Sequence, residues 1–238
     1  MELSYNTVIN TMAKLTSTNP ADYKVLGDVE TSTEAEIVKK VKKAITAKKE
    51  WKTIDLEERN KLLRKVVNKL TEKKDELAQL ATREMGMPIN EALTDFDATF
   101  DYANWYFDNA EKYLSPETTF ENDKEIHQVF HEPIGVSAVI VPWNFPLANF
   151  VWGALQSLIA GNTIVFKHSE ECPLPGRFLE DIMTKHLPEG VFNEVYGAGE
   201  VGSALVNQNV NMIAFTGSTK TGKYLYELAG KKFIKAVM

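Results

Sequence analysis

The sequence predicts an α/β fold in which amino-terminal helices lead into a doubly wound parallel sheet. Three observations carry this. Up to about residue 114, apolar side chains recur at helical spacing; from Gly135, short β-branched runs alternate with helical segments; and each of those runs ends in a glycine- or proline-containing loop. Strands joined by helical crossovers pair in parallel.

The elements follow in order. Thr31-Ser32-Thr33-Glu34 has a capping-box pattern and opens a helix to about Trp51, with Ile37, Val41, Ala44 and Ile45 inward. Its run Lys39-Lys40-Val41-Lys42-Lys43 reads as a solvated face. A second helix starts near Asp55, with Leu62, Leu63, Val66, Val67 and Leu70 on one face, and helical pattern resumes through Leu77, Leu80, Ala81 and Met85 until Gly86-Met87-Pro88. A third spans about Glu91–Leu114, with Phe96, Phe100, Ala103, Phe107 and Ala110 as its stripe. Ser115–Lys124 is polar and reads as a loop, and Ile126–His131 as a short extended segment ended by Pro133.

Strands are then expected at Val136–Val141, Thr163–Phe166, Asn193–Tyr196, Met212–Thr216 and Lys232–Met238. Helices between them start at Pro146, near Pro175, at Glu200 and at Ser218. This divides the chain into a helical region, residues 1–114, an extended segment, 115–133, and an α/β region, 134–238.

Composition narrows the class. With 44% hydrophobic and 25% charged residues the chain is an ordinary globular one. One cysteine forms no internal disulfide. No apolar run is long enough for a membrane span, and the start is not a basic segment followed by an apolar one, so a cytoplasmic protein without a membrane partner is expected. The net charge of −6 falls wholly within residues 1–133, and residues 134–238 are neutral. Neither part is basic, which argues against nucleic acid as the partner.

In a doubly wound sheet, ligands bind beyond the carboxyl ends of the strands. Four loops share that edge: Val141-Pro142-Trp143-Asn144-Phe145-Pro146, Lys167-His168-Ser169-Glu170, Gly197 to Gly202, and Thr216 to Gly222. Gly197, Gly199 and Gly202 match Gly-x-Gly-x-x-Gly between a strand and a helix, where a pyrophosphate could approach the helix amino terminus. The acid that this fingerprint wants after the next strand is missing, and the best-placed acid is Glu170, so these glycines either turn the chain or serve a cofactor in another register. Gly217 to Lys223 matches Gly-x-x-x-x-Gly-Lys, but the residue after the lysine is Tyr224, where a P-loop nucleotide triphosphatase needs a hydroxyl for Mg²⁺. That leaves phosphate contact by the loop's amides. Short-chain dehydrogenase chemistry is excluded, since no tyrosine has lysine four residues on.

With these loops in hand, the sequence resembles the aldehyde dehydrogenase superfamily, specifically its succinate-semialdehyde dehydrogenase-like members. The carriers are Glu132-Pro133-Ile134-Gly135-Val136, Pro142-Trp143-Asn144-Phe145-Pro146, Lys167 with Glu170, Leu187-Pro188-Glu189-Gly190-Val191, and Phe215-Thr216-Gly217-Ser218. The resemblance runs from about Leu26 onward, in matching order and spacing.

It implies NAD(P)-dependent oxidation of an aldehyde to a carboxylic acid. Asn144 would donate its amide to the oxyanion of a thiohemiacetal. Lys167 and Glu170 would bind the adenosine ribose. Glu170 favours NAD, and Lys167 and His168 leave NADP open. Val141, Pro142, Trp143, Ser169, Gly197, Gly199, Gly202, Phe215, Thr216, Gly217 and Ser218 would complete the cofactor contacts, and Phe145, Asn149 and Trp152 the wall of a substrate tunnel. The segment Ile126–His131 resembles a strand that crosses to a neighbouring subunit. His127 and His131 read as surface residues, and no metal is expected.

The family's cysteine nucleophile and glutamate base match nothing in this chain, and Cys172 aligns with neither. The expectation is therefore the cofactor-binding part of such an enzyme, truncated before the catalytic domain, inactive alone, and working as a homo-oligomer or with a complementing second half. A free-standing nucleotide-binding or assembly module is the alternative, and a P-loop NTPase-like protein the second. The substrate expected is a small aliphatic aldehyde or semialdehyde.

Overall fold

The computed structural model describes residues 13–238. The expected helical region holds more than helices, and its first twelve residues lie outside the described ones. Strands β1 (Lys14–Thr18) and β2 (Val25–Glu30) form an antiparallel hairpin. Periodicity missed it because the strands are short and bury little beyond Ser17 and Val29.

Helix α1 (Glu34–Trp51) does begin with a capping box, but two residues later than Thr31 and Glu34 suggest. Thr33 N–H donates to Glu36 Oε2 at 2.8 Å and Glu36 N–H to Thr33 Oγ1 at 3.3 Å. Thr31 and Ser32 stay extended because their amides donate to Ala13 and Tyr196 carbonyls. Such a cap stabilises a helix by about 1 kcal/mol. Helices α2 (Leu56–Glu72), α3 (Lys74–Met85) and α4 (Ile89–Leu114) follow, and Gly86, at φ 78°, ends α3 in the left-handed region. The expected loop at 115–124 contains a strand. β3 (Glu117–Glu121) pairs antiparallel with β4 (Ile126–Val129), and both are exposed throughout. With no buried face, Glu-Thr-Thr-Phe-Glu carries no alternation to read.

The rest is the doubly wound unit. Strands β5 (Val136–Ile140), β6 (Thr163–Lys167), β7 (Phe192–Glu194), β8 (Met212–Phe215) and β9 (Lys235–Val237) form one parallel sheet in the order β7-β6-β5-β8-β9. The crossovers are α5 (Pro146–Phe150), continued by a π turn at Val151–Leu155 into α6 (Gln156–Ile159), then α7 (Pro173–His186), α8 (Gly199–Val206) and α9 (Thr219–Lys232).

Alternation along the strands divides the core. Val139, Ile164, Phe166, Phe192 and Ala214 face one side, packed with α2 to α7. Val136, Ala138, Val165 and Ile213 face the other, with α1, α8 and α9. Trp51 ties α1 to the first side by donating its indole N–H to Leu158 O at 3.1 Å. The lysine face of α1 is not wholly solvated. Lys40 is half-buried, with Nζ on the Glu194 carbonyl and 3.2 Å from Glu180 Oε1, because α1 lies against β6 and β7.

Candidate functional site

Because all five strands run in parallel, the loops after β5, β6, β7 and β8 share one edge. The order reverses beside β5, and the loops after β5 and β8 flank that switch point. Val141 N–H donates to Lys167 O at 3.2 Å and Thr216 N–H to Ile140 O at 3.1 Å, so the loops leave the sheet in fixed register.

The loop after β5 is anchored from below. Asn149, buried in α5, donates its amide to Pro142 O at 3.1 Å. It thus straps the turn, while Trp143, Asn144 and Phe145 stand exposed. Pro146 starts α5, where its missing N–H costs nothing. The Phe145 and Trp152 rings meet edge to face at 6.3 Å, and Trp152 meets Tyr102 at 6.1 Å, which makes an aromatic wall beside Asn144.

The loop after β6 carries a buried cation. The side chain of Lys167 is only 4% exposed, and its ammonium donates to His168 O at 3.1 Å and to Glu170 Oε2 at 3.3 Å. Burial pulls its pKa below the usual lysine value, and Glu170 opposes that pull. Glu170 stays part-exposed, so one face of its carboxylate is available to a ligand. Ser169 Oγ accepts from Glu171 N–H at 3.3 Å and shapes the turn.

The glycine loops differ. At Gly197, φ is +148° and a Cβ would collide with Val201, so this glycine turns the chain. At Gly199 a Cβ would meet nothing within 4 Å, so the amino terminus of α8 is open. A Cβ on Gly202 would come within 3.6 Å of Lys167 Cδ, which sets α8 beside the lysine. After β8, Ser218 caps α9 by accepting from Thr221 N–H at 3.3 Å. A Cβ on Gly217 would fall 2.5 Å from Phe215 Cζ, so this glycine and Gly222 close over the Phe215 ring. Thr216 and Lys223 are exposed.

Three further buried groups lie beneath these loops. Cys172 is fully buried, and burial, with Glu84 and Glu194 nearby, pushes its thiol far above the normal range, the opposite of an activated nucleophile. Glu84 of α3 is buried, accepts from Leu174 N–H at 3.2 Å, and has its pKa raised to about 7, chiefly by burial. His168 and Glu194 form a buried pair. A signal existed for the pair, since Glu194 is an acid in a strand expected to be buried, followed by Val195 and Tyr196. Among the described residues no group of three or more His, Cys, Asp or Glu is placed to hold a metal, and no helix is long and apolar enough to cross a membrane.

Fold and edge together define a doubly wound α/β protein with its polar groups gathered at the carboxyl edge of the sheet. The aldehyde dehydrogenase family model matches residues 8–238, and the chain belongs to that family. A mutant of an aldehyde dehydrogenase from Bacillus cereus is 33% identical, with a TM-score of 0.89 over 94% of this chain and 47% of its own. An E. coli NADP-dependent enzyme and PnpE in complex with nicotinamide adenine dinucleotide are each 33% identical, at TM-scores of 0.88, with 94% of this chain and 47% of theirs covered. The chain therefore spans about half the length of the structures it matches.

Proposed function

We infer that this chain supplies the NAD(P)-binding part of an enzyme that oxidises an aldehyde to a carboxylic acid. The observation that carries the reading is the pairing of a part-exposed Glu170, braced by buried Lys167, with the open amino terminus of α8 at Gly199. The residues present fit a dinucleotide: a carboxylate for ribose hydroxyls, and helix N–H groups with open space for phosphate oxygens. Bound there, NAD(P) supplies the hydride acceptor.

The chain's own residues do the rest. Lys167 and Glu170 hold the ribose, and Ser218 and the α8 turn line the pyrophosphate path. Asn144, preset by the Asn149 strap, offers its amide to developing negative charge, and Phe145 and Trp152 give the aldehyde an apolar wall. NAD is preferred to NADP: Glu170 repels a 2′-phosphate, and His168, which could have offset it, is turned inward.

The relatives matched by half support a partner half. An apolar groove of about 590 Å³ lies between α4, the π turn and the sheet, lined by Tyr106, Trp152, Met212 and Val237 among others, and would seat it. Exposed Phe120, Ile126 and Val129 on the β3–β4 hairpin support pairing of subunits, in keeping with the division at residues 115–133.

Alone, the chain has no nucleophile, since Cys172 is its sole cysteine. NADH formation measured with a panel of small aldehydes and semialdehydes should be absent for the 238-residue protein. Robust turnover would overturn this part of the reading.

A further inference from the structure

The His168–Glu194 pair binds nothing in the function above, yet it joins two of the site's loops, those after β5 and β6. His168 follows Lys167 at the end of β6, and Glu194 ends β7. Imidazole Nδ1 meets Glu194 Oε1, and Nε2 lies 3.3 Å from the carbonyl oxygen of Pro146, two residues beyond Asn144. The main-chain oxygen of His168 also accepts from Lys167 Nζ at 3.1 Å. Room for the pair is kept by Gly176 of α7, where a Cβ would stand 2.6 Å from His168 Nδ1 and closer still to Glu194 Oε1.

Both ring nitrogens face acceptors, so the proton count decides whether the tie to Pro146 holds. Two protons satisfy it, either as imidazolium with carboxylate or as an Nε2–H imidazole beside a carboxylic acid that donates to Nδ1. Full burial favours the neutral form, and it raises the Glu194 carboxyl's affinity for a proton. With one proton removed, a neutral ring has a single N–H for two acceptors, and the site buries a net negative charge. The charged and titratable groups around the pair are Lys40 of α1, Glu84 of α3, Lys167 of β6, Cys172, Glu180 of α7, and Tyr196 after β7.

We propose that His168, held between Glu194 and the Pro146 carbonyl, is a positioning residue that fixes the Asn144–Pro146 turn relative to the Lys167–Glu170 clamp. The significance of the tie rests on the cofactor reading above, but the tie itself does not.

The test uses the 238-residue protein and two readouts. One is hydrogen exchange of the Asn149 amide, which donates to Phe145 O at 2.9 Å, relative to Ala138 in β5. The other is NAD affinity by calorimetry across pH. His168→Phe and Glu194→Leu should each speed Asn149 exchange and weaken NAD binding about tenfold, the scale of one hydrogen bond. Glu194→Gln, whose amide donates to Nδ1 and leaves the ring proton on Nε2, should recover most of the loss seen in Glu194→Leu. It should also flatten the decline of affinity at high pH. Should His168→Phe not fold, Gly176→Ala displaces the pair with both side chains intact and should give the same two effects. Unchanged exchange and affinity in the foldable variants, or Glu194→Gln as damaging as Glu194→Leu, overturns the proposal. If the wild type binds no NAD, the cofactor reading falls, and the exchange comparison alone decides the tie.

Discussion

The loops after β6 and β8 hold equivalent places on one parallel sheet, on either side of β5, but are built by opposite means. The first is made rigid from inside: Lys167, His168, Cys172 and Glu194 are all buried, while Glu170 and its neighbours Ser169 and Glu171 reach the surface. The second has almost nothing beneath it but the Phe215 ring, and residues 216–221 are all exposed. The contrast shows that a part-exposed carboxylate can be held in place by a desolvated cation, whereas a glycine turn is held by its own cap and a single ring. It also disposes of the P-loop resemblance, because the glycines of that motif answer to Phe215, and Lys223 stands free of any brace.

That contrast can be broken or sharpened by substitution. The largest effect is expected at a turn. Gly197→Ala puts a Cβ at φ +148° against Val201 and should destabilise the protein by about 3 kcal/mol, read from denaturant unfolding. Gly222→Ala, whose Cβ would meet Phe215 at an ordinary 3.5 Å, should lie within about 1 kcal/mol of wild type.

Next is Glu84, under the β6 loop. Its pKa is raised from 4.5 to about 7, so the folded state holds its proton more tightly than the unfolded one. Stability is thus full below about pH 4.5 and falls as pH rises to about 7. Glu84→Gln should match wild type at the acid end and exceed it above neutrality by something on the order of 2 kcal/mol, seen as a Tm difference that grows with pH.

Third, Lys167→Met should weaken NAD binding about tenfold by releasing Glu170, while Lys223→Ala should change it less than about twofold. Smallest is Cys172→Ser, which should leave NAD affinity within about twofold of wild type, because that thiol is buried and faces no ligand. Equal sensitivity of the two loops in these assays would erase the distinction between them.

What the sequence made legible follows the same line. The helices and strands β5, β6 and β8 are long or apolar enough to be read, the three-residue strands β7 and β9 follow from the alternation with helices, and the four loops could be placed on one edge by topology alone. The first hairpin and strand β3 were invisible because the one buries little more than Ser17 and Val29 and the other buries nothing, whereas β4 lies within the extended segment expected at Ile126–His131. The cap of α1 slipped by two residues because tertiary hydrogen bonds to Thr31 and Ser32 outweighed a local motif. Lys167 and Glu170 could be named from the family resemblance, but the inward turn of His168 could not, since a neighbour in sequence does not say which way a ring points. Asn149 was read as lining a tunnel, and the structure sets it beneath the turn as its strap.

The central claim is that this chain carries the dinucleotide site of an aldehyde dehydrogenase. Calorimetric titration of the wild-type protein with NAD, NADP and Mg-ATP tests it most directly. The account predicts saturable binding of one NAD per chain, NADP weaker by about tenfold or more because of Glu170, and no Mg-ATP hydrolysis. Absence of NAD binding, or Mg-ATP hydrolysis that disappears in Lys223→Ala, would contradict it.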